Sequence, residues 1–282
     1  MLIKSILNKS FYILIVISLL SINGCNSVQP GQTVSATPVI DRIQTRGELI
    51  LGTSADQPPL SQLNKQGKVE GLDIDIATMM ASSMGVKLTV RVLPFNQLIN
   101  ALEQGEVDIV LSNLTITPTR NLKVAFVGPY MTSGKCILTK NAALAKAGAA
   151  KSLNSSDVQI VAQKGSTSEY LVRQLLPKAR LKVTEGNDKA INLVRNNKVD
   201  AMITDFPICM SAIKNNPDSK FISAFSLLTY EPIGVAIPAD DALFINWTEN
   251  FLQRLEGTDT LDELGARWFG NFFNFSSNDV NM

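Results

Sequence analysis

The residues best placed to bind a charged ligand are an arginine and an aspartate far apart in the chain. Arg120 follows Thr117-Pro118, a pair typical of a helix N-cap with proline in the first turn. Its guanidinium group can hold a carboxylate through two hydrogen bonds. Asp205 ends an apolar stretch, where a buried carboxylate would need a cationic partner. The alternatives are a surface arginine and an aspartate that only caps the next helix, and these residues alone leave them open.

A second anion-binding feature is the sequence Gly165-Ser166-Thr167, which precedes a predicted helix over 168–176. Small residues there leave backbone amides open at a helix N-terminus, which favours an anion. We therefore expect Thr167 and Ser166 to contact a ligand. The alternative is that their hydroxyls only cap the helix, and both roles can hold at once.

The elements that must position these residues alternate between strand and helix patterns. Short strands are predicted at 48–52, 87–92 and 107–111, and helices with apolar residues at helical spacing at 73–84 and 96–104. Strands that alternate with helices imply βαβ units and a largely parallel sheet, so the predicted fold class is α/β.

The chain also contains an internal repeat. The segment from Ile99 to Ser112 matches the segment from Ile191 to Thr204 at a constant offset of 92 residues without a gap. Two lobes of related build follow, although unrelated strand–helix units can also look alike. Ligands of open α/β sheets bind beyond the carboxyl ends of the strands. Asn113 and Thr115 follow the first repeat and Asp205 the second, so these three residues would border one cleft between the lobes.

Composition excludes several classes of function. The chain has no histidine, which rules out a histidine pH switch, a Ser-His-Asp triad and a histidine metal site. Its 26 basic residues nearly balance 25 acidic ones, and this argues against a nucleic-acid partner. We expect neither a metal nor a cofactor.

The N-terminal segment is predicted to be a targeting signal, over residues 1–24. Its apolar run is too short for a comfortable membrane span. Gly24-Cys25 resembles the lipobox of bacterial lipoproteins, in which the cysteine is lipidated, so Cys25 is the expected anchor in the periplasm or at the cell surface. An ordinary signal peptide and an uncleaved anchor are the alternatives. Residues 25–39 are predicted to be a flexible tether, and residues 271–282 a tail without assignment.

Two further cysteines, Cys136 and Cys209, lie in apolar contexts. A pair in an exported protein could form a disulfide, and connectivity cannot be read from sequence. We predict two buried free thiols that pack as small hydrophobic groups.

Four stretches together resemble the family 3 extracellular solute-binding proteins, which deliver polar amino acids to ABC transporters. They are Gly71-Leu72-Asp73-Ile74-Asp75-Ile76-Ala77, Leu114-Thr115-Ile116-Thr117-Pro118-Thr119-Arg120, Lys164-Gly165-Ser166-Thr167 and Arg267-Trp268-Phe269-Gly270. The resemblance runs from about Ile43 to Gly270. It implies the type II periplasmic binding protein fold, in which two α/β lobes are joined by a two-strand hinge.

The resemblance also implies where the lobes are divided and what the site residues do. Gly134 and Gly234 fit the two crossings, which gives a first lobe of about 40–134 plus 236–270 and a second of about 135–235. Arg120, helped by Thr115 and Thr167, is expected to bind the α-carboxylate of an amino acid. Asp205 is expected to bind its α-ammonium. The expected partners are that amino acid and a membrane permease, with the chain a monomer.

The expected side-chain pocket differs from the family pattern. Relatives often carry an aromatic residue beside the proline pair that follows the first strand, but Gln57 and Leu60 flank Pro58-Pro59 here. Phe95 matches a position that is often aromatic. The pocket is therefore predicted to be less aromatic than usual.

The pocket is also predicted to be less acidic, because Ser54 stands where several relatives carry an acid. This makes lysine or arginine an unexpected ligand. Asp56, Gln163 and Lys164 could contact a polar or acidic ligand side chain, or could be solvated loop residues.

Two functions other than transport are compatible with this fold, and we expect the chain not to be an enzyme. Some relatives of this fold are periplasmic dehydratases, and such chemistry needs a positioned acid or base in the cleft. Asp56 and Asp205 are the only paired carboxylates that could meet there. The other alternative is a sensor or orphan binding protein that serves a receptor.

Overall fold

A computed structural model describes residues 35–145, 150–225 and 229–270. The predicted signal peptide, Cys25 and the C-terminal tail lie outside the described residues. The elements below belong to the structural unit that begins at Ala36. No helix within the described ranges is both long and apolar enough to cross a membrane.

The predicted tether, residues 25–39, extends too far along the chain, because the first helix, α1, spans Pro38–Arg46. Val39 is fully buried. The carboxylate of Asp241 accepts hydrogen bonds from the backbone N–H groups of Val39 and Ile40, each at 3.0 Å. These bonds satisfy free amides at the start of α1 and fix the helix to the folded unit.

The first part of the chain builds most of one lobe. Its strands are β1 (Glu48–Thr53), β2 (Asp56–Gln57), β3 (Ser61–Leu63), β4 (Val69–Glu70), β5 (Lys87–Val92), β6 (Ile109–Val110) and β7 (Ala125–Ser133). Its further helices are α2 (Leu72–Ser83), α3 (Leu98–Glu103) and α4 (Pro118–Asn121). A small antiparallel sheet of β2, β3 and β4 leads into α2.

The second lobe begins where the chain leaves β7 through Gly134. Its strands are β8 (Lys135–Thr139), β9 (Gln159–Gln163), β10 (Arg180–Thr184), β11 (Ala201–Asp205) and β12 (Ile222–Phe225). Its helices are α5 (Ala150–Leu153), α6 (Thr167–Leu175), α7 (Asn187–Arg195) and α8 (Phe206–Asn215). The order of its sheet is β10-β9-β11-β8-β12.

The chain then returns to the first lobe through β13 (Glu231–Ile237), followed by α9 (Ala242–Gly257) and α10 (Thr260–Phe269). The sheet of that lobe has the order β5-β1-β6-β13-β7. In each sheet, the first three strands are parallel, and the fourth strand pairs antiparallel with both of its neighbours. The predicted α/β architecture with two lobes is confirmed.

The second crossing differs from the prediction. β13 pairs with β7 from Glu231 onward, so the boundary lies before Glu231 and not at 235/236. Gly234 therefore lies within the first lobe and is not at the crossing. A Cβ there would come within 2.8 Å of the Ile116 side chain and 2.9 Å of the Val127 carbonyl oxygen. Close packing, and not a hinge, requires glycine at this position.

The internal repeat has a structural counterpart in both lobes. The N–H of Asp108 donates to the Ile50 carbonyl, and its carboxylate accepts from the Ile50 N–H at 2.9 Å. Asp200 makes the same two bonds with Gln159, the second at 2.7 Å. The Val-Asp step at each strand entry thus ties one parallel strand to its neighbour in the same way.

Two of the stretches that carry the family resemblance pack against each other away from the cleft. The indole N–H of Trp268 donates to the carboxylate of Asp75 at 2.8 Å, and Arg267 lies 3.2 Å from the same oxygen. Gly71, with φ of 140°, begins α2 where a Cβ would lie 2.0 Å from the Leu60 carbonyl oxygen. These motif residues stabilise the first lobe.

Candidate functional site

The two repeats meet at their strand ends across the lobes. The side-chain amide of Asn113 donates to Asp205 Oδ2 at 2.9 Å, and both residues are buried. They occupy equivalent positions, 92 residues apart. Asp205 stands at the N-cap position of α8 but makes no side-chain capping bond. Its carboxylate instead contacts Asn113 of the first lobe and Lys135, so simple capping of α8 does not describe its role.

Asn113 is held in place from behind by a buried carboxylate. Its φ is 51°, and its N–H donates to Asp73 Oδ2 at 2.9 Å. The hydroxyl of Tyr130 donates to Asp73 Oδ1 at 2.6 Å. Burial raises the pKa of Asp73 to about 6, although both hydrogen bonds oppose the rise. Asp73 thus positions Asn113 without itself reaching the cleft.

Replacing Asp73 by asparagine should flatten one part of the pH dependence of stability. The pKa of about 6 in the folded protein lies above the ordinary aspartate pKa of 3.8. The stabilising contribution of Asp73 is therefore fully present below the lower pKa and is lost as pH rises through the higher one. Across this pH range, the free energy of unfolding contributed by Asp73 falls by on the order of 3 kcal/mol. An asparagine can accept from the Asn113 N–H and donate to the Tyr130 oxygen, which lets Asp73→Asn fold.

Urea unfolding of both proteins at several pH values measures this effect. The free energy of unfolding of the wild type, minus that of Asp73→Asn, should fall between about pH 4 and 6 and level off above. A difference that stays constant from pH 4 to 7 would contradict the raised pKa.

Arg120 lies on α4. The hydroxyl of Thr117 accepts a hydrogen bond from the Arg120 N–H at 3.2 Å, which confirms Thr117 as the N-cap. The guanidinium donates to the carbonyl oxygens of Thr115 at 2.8 Å and of Gly165, in the other lobe, at 3.1 Å. Its central carbon lies 5.6 Å from the ring centre of Phe95. Burial lowers its pKa to about 10, against the opposing effect of Asp205 and Glu231.

A buried ionic network lies at the crossings between the lobes. Glu231 accepts hydrogen bonds at 3.0 Å from the hydroxyls of Thr115, in the first lobe, and of Thr167, in the second. The ammonium of Lys135 donates to Thr167 at 2.6 Å and to Asp205, and lies 3.2 Å from Glu231. The predicted residues Thr115 and Thr167 are therefore brought together, with Glu231 between them.

A second polar cluster lies beyond Asn113. The carboxylate of Asp56 accepts from the hydroxyl of Ser54 at 2.5 Å and from the side-chain amides of Gln57 at 3.1 Å and Gln163 at 2.7 Å. The N–H of Asn187 also donates to it at 3.1 Å. Gln57 links the two clusters, because its oxygen accepts from Asn113 at 3.3 Å. Burial raises the pKa of Asp56, while the hydrogen bonds from Ser54, Asn187 and Gln57 lower it.

Other predicted residues are placed differently. The hydroxyl of Ser166 caps α6 by accepting from the Glu169 N–H, and donates to the Gln163 carbonyl at 2.7 Å. Lys164 is exposed and pairs with Glu185 at 3.0 Å. Leu60 is fully buried in the core of the first lobe. These contacts agree with the capping alternative for Ser166 and with a solvated loop role for Lys164.

Sequence reasoning missed Lys135, Glu231 and Asn187 as members of the site. Lys135 and Glu231 begin the two strands that adjoin the crossings. Their charge and their position beside the predicted crossings were the signal in the sequence that could have indicated a role in the site. Within the described ranges, no group of three or more His, Cys, Asp or Glu side chains could hold a metal ion.

The prediction that Cys136 and Cys209 are free thiols is wrong. Cys136 and Cys209 form a disulfide that joins β8 to α8. Sequence context could not reveal the pairing, because it depends on how α8 packs over the sheet of the second lobe. The bond ties together the two elements that carry Lys135 and Asp205.

Charged and polar groups from both lobes thus converge on a buried site, which defines a two-lobed ligand-binding protein. Residues 49–271 match the bacterial extracellular solute-binding proteins of family 3, and the chain belongs to that family. Its fold is that of the type II periplasmic binding proteins.

Comparison with known proteins agrees. The chain is 27% identical to the glutamine-binding protein of Geobacillus stearothermophilus over 89% of its own length and 97% of that protein. It is 37% identical, with a TM-score of 0.75, to an ancestral amino acid-binding protein, a precursor of cyclohexadienyl dehydratase, over 82% and 99% of the two chains. A putative binding component of an ABC transporter from Wolinella succinogenes, complexed with lysine, is 34% identical over 80% and 97%, with a TM-score of 0.76.

Proposed function

We propose that this chain binds a small α-amino acid between its lobes and delivers it to the membrane components of an ABC transporter. The observation that carries the proposal is the chain of contacts that links Arg120 through Thr115 to Glu231 and then, through Lys135, to Asp205 of the second lobe. Among the described residues, Arg120 has only neutral oxygens within hydrogen-bond distance, which leaves its charge for a ligand carboxylate. A zwitterion that bridges Arg120 and Asp205 would favour the closed form.

We propose further that the ligand side chain carries a cation. Asp56 is surrounded by four neutral donors, and no cation lies within ion-pair distance of it among the described residues. A buried carboxylate without a counter-charge favours a cationic group of the ligand. Asp56, which Ser54 contacts, would supply the acid that several relatives carry at the position of Ser54, and the proposal therefore reverses the expectation against lysine or arginine. The lysine-bound relative supports the proposal.

The cellular setting is proposed on the sequence and on the family. Cys25 is the proposed lipid anchor after removal of residues 1–24, and the chain would act as a monomer in the periplasm or at the cell surface. Its proposed protein partners are a permease and its ATPase. The family name, extracellular solute-binding proteins, supports a location outside the cytoplasm.

Calorimetry with the common amino acids tests the proposal. We expect saturable binding, with lysine and arginine bound more tightly than glutamine or norleucine. In Asp56→Asn, the affinity for lysine and arginine should fall by about tenfold or more, because each 1.4 kcal/mol of lost charge interaction is tenfold. The affinity for glutamine should change much less, since asparagine preserves the size of the side chain.

The pH dependence gives a second readout of the same change. Because the pKa of Asp56 is raised, wild-type affinity for lysine should fall as the pH is lowered through that pKa and the carboxylate becomes neutral. Asp56→Asn should lack this fall. Equal wild-type affinity for lysine and norleucine would contradict a cationic side chain, and binding of no amino acid at all would contradict the function.

A dehydratase is the second candidate, because one similar structure is a precursor of cyclohexadienyl dehydratase. Incubation of the purified protein with prephenate and arogenate decides between them. We expect no turnover; product formation by the wild type, lost in Asp56→Asn or Asp205→Asn, would favour the enzyme. A sensor would bind the same amino acids, and a permease gene beside this one would favour transport.

A further inference from the structure

We propose that Lys135 competes with the ligand's α-ammonium for Asp205. Lys135 binds Asp205 when no ligand is present, and this competition sets how strongly the site favours a ligand with an amino group. The inference rests on the proposed amino-acid binding and adds a residue that determines specificity. It follows from the different surroundings of the two ends of the site.

The ammonium of Lys135 is enclosed by the groups that a ligand amine would use. Only 4% of its side chain is exposed, and it contacts Asp205, Thr167 and Glu231. Lysine is almost never fully buried unless it is paired. Lys135 is therefore fixed by the two carboxylates and does not extend into solvent.

The two ends of the site differ in whether their charged group already has an oppositely charged partner. Arg120, at the carboxylate end, donates only to backbone carbonyls and has no carboxylate within 4.0 Å among the described residues. Asp205, at the ammonium end, is already paired with Lys135 and accepts from Asn113. A ligand carboxylate can bind Arg120 directly, whereas a ligand ammonium must displace Lys135 from Asp205.

Charge balance indicates where the displaced lysine remains. Arg120 and Lys135 match Asp205 and Glu231, so these four groups have no net charge. A bound zwitterion keeps that balance if its ammonium takes Asp205 while Lys135 stays with Glu231. A buried ammonium must keep a charged partner, and Glu231 lies 3.2 Å from it. Binding of the ligand ammonium therefore breaks the Lys135–Asp205 contact. Because of this loss, the wild type only weakly prefers a ligand with an α-amino group over one without it.

Paired ligands measure this competition. Lysine and 6-aminohexanoic acid share a carboxylate and a terminal ammonium, but only lysine has the α-ammonium. We would measure both dissociation constants by calorimetry for the wild type, Lys135→Met and the charge-balanced double variant Lys135→Met/Glu231→Gln. Lys140→Met removes a partly exposed lysine just after the same strand and is the matched control.

The expected result is a rise in the preference for lysine over 6-aminohexanoic acid. Their affinity ratio should increase at least about fivefold in Lys135→Met and in the double variant, the lower range of coupling between two groups at one site. Lys140→Met should keep the wild-type ratio. Because general damage to the fold weakens both ligands, the ratio separates competition from a structural role of Lys135.

An unchanged ratio in both Lys135 variants would overturn the inference and leave amino-acid binding intact. A ratio that falls would also overturn it, since Lys135 would then assist the α-ammonium. A wild type that binds neither lysine nor any other amino acid would overturn the proposed function and this inference together.

Discussion

Arg120→Ala is expected to abolish ligand binding while the protein stays folded. The guanidinium is the proposed binding group for the ligand carboxylate, and its N–H groups contact both lobes through Thr115 and Gly165. Loss of one partner from a buried, hydrogen-bonded charge pair costs about 2–5 kcal/mol, or roughly thirtyfold to several thousandfold in affinity. Calorimetry with the best amino acid of the panel measures the loss.

Two variants make this result specific. Arg120→Lys keeps the charge but loses the two-pronged geometry, so its affinity should lie between those of the wild type and Arg120→Ala. Arg91→Ala removes an exposed arginine of β5 that pairs with Glu106 at 3.3 Å, and it should bind as the wild type does. Unchanged affinity in Arg120→Ala, with a normal thermal midpoint, would show that the ligand carboxylate is bound elsewhere.

The internal repeat explains why much of this site could be predicted. A gapless match between two strand–helix units, together with the rule that ligands bind at strand ends, brings Asn113 and Asp205 to one cleft. Their side chains meet at 2.9 Å. The prediction needed no knowledge of the relative orientation of the lobes beyond their facing each other, because equivalent strand ends carry both residues.

The ionic network could not be predicted, for a reason that concerns burial. A lysine and a glutamate beside predicted crossings would ordinarily be assigned to the surface, since such residues are rarely buried without partners. Their pairing depends on β8 running antiparallel to β11, with Lys135 opposite Asp205 in the register. Lys135 and Asp205 are 70 residues apart in sequence, so no local pattern specifies that these two strands are neighbours.

The two glycines predicted at the crossings show a related limit of prediction from sequence. Gly134 lies between β7 and β8 at the crossing, whereas Gly234 lies inside β13 against Ile116 and Val127. Glycine serves both chain reversal and close packing, and the two uses look the same in a sequence. Only the pairing of β13 with β7 decides between them.

Loss of the disulfide is expected to lower the free energy of unfolding by about 4 kcal/mol, the chain-entropy value for a loop of this length. Cys136 and Cys209 are 73 residues apart in sequence, and the bond closes a loop that contains most of the second lobe. Unfolding by urea, with and without reductant, measures the difference. The variant Cys136→Ala/Cys209→Ala should unfold as the reduced protein does, apart from a small effect of the lost sulfur atoms, and should not respond to reductant.

Ligand affinity should respond much less than stability, and this separates the two roles of the second lobe. The disulfide joins β8 to α8 next to Lys135 and Asp205, yet those residues are already fixed by strand pairing between β8 and β11. A bond that mainly limits the unfolded chain stabilises the fold without changing contacts in the folded site. Peptide mapping that finds both thiols free in the folded protein, or unfolding curves that coincide with and without reductant, would contradict the disulfide. A large loss of affinity on reduction would instead show that the bond holds Asp205 in position.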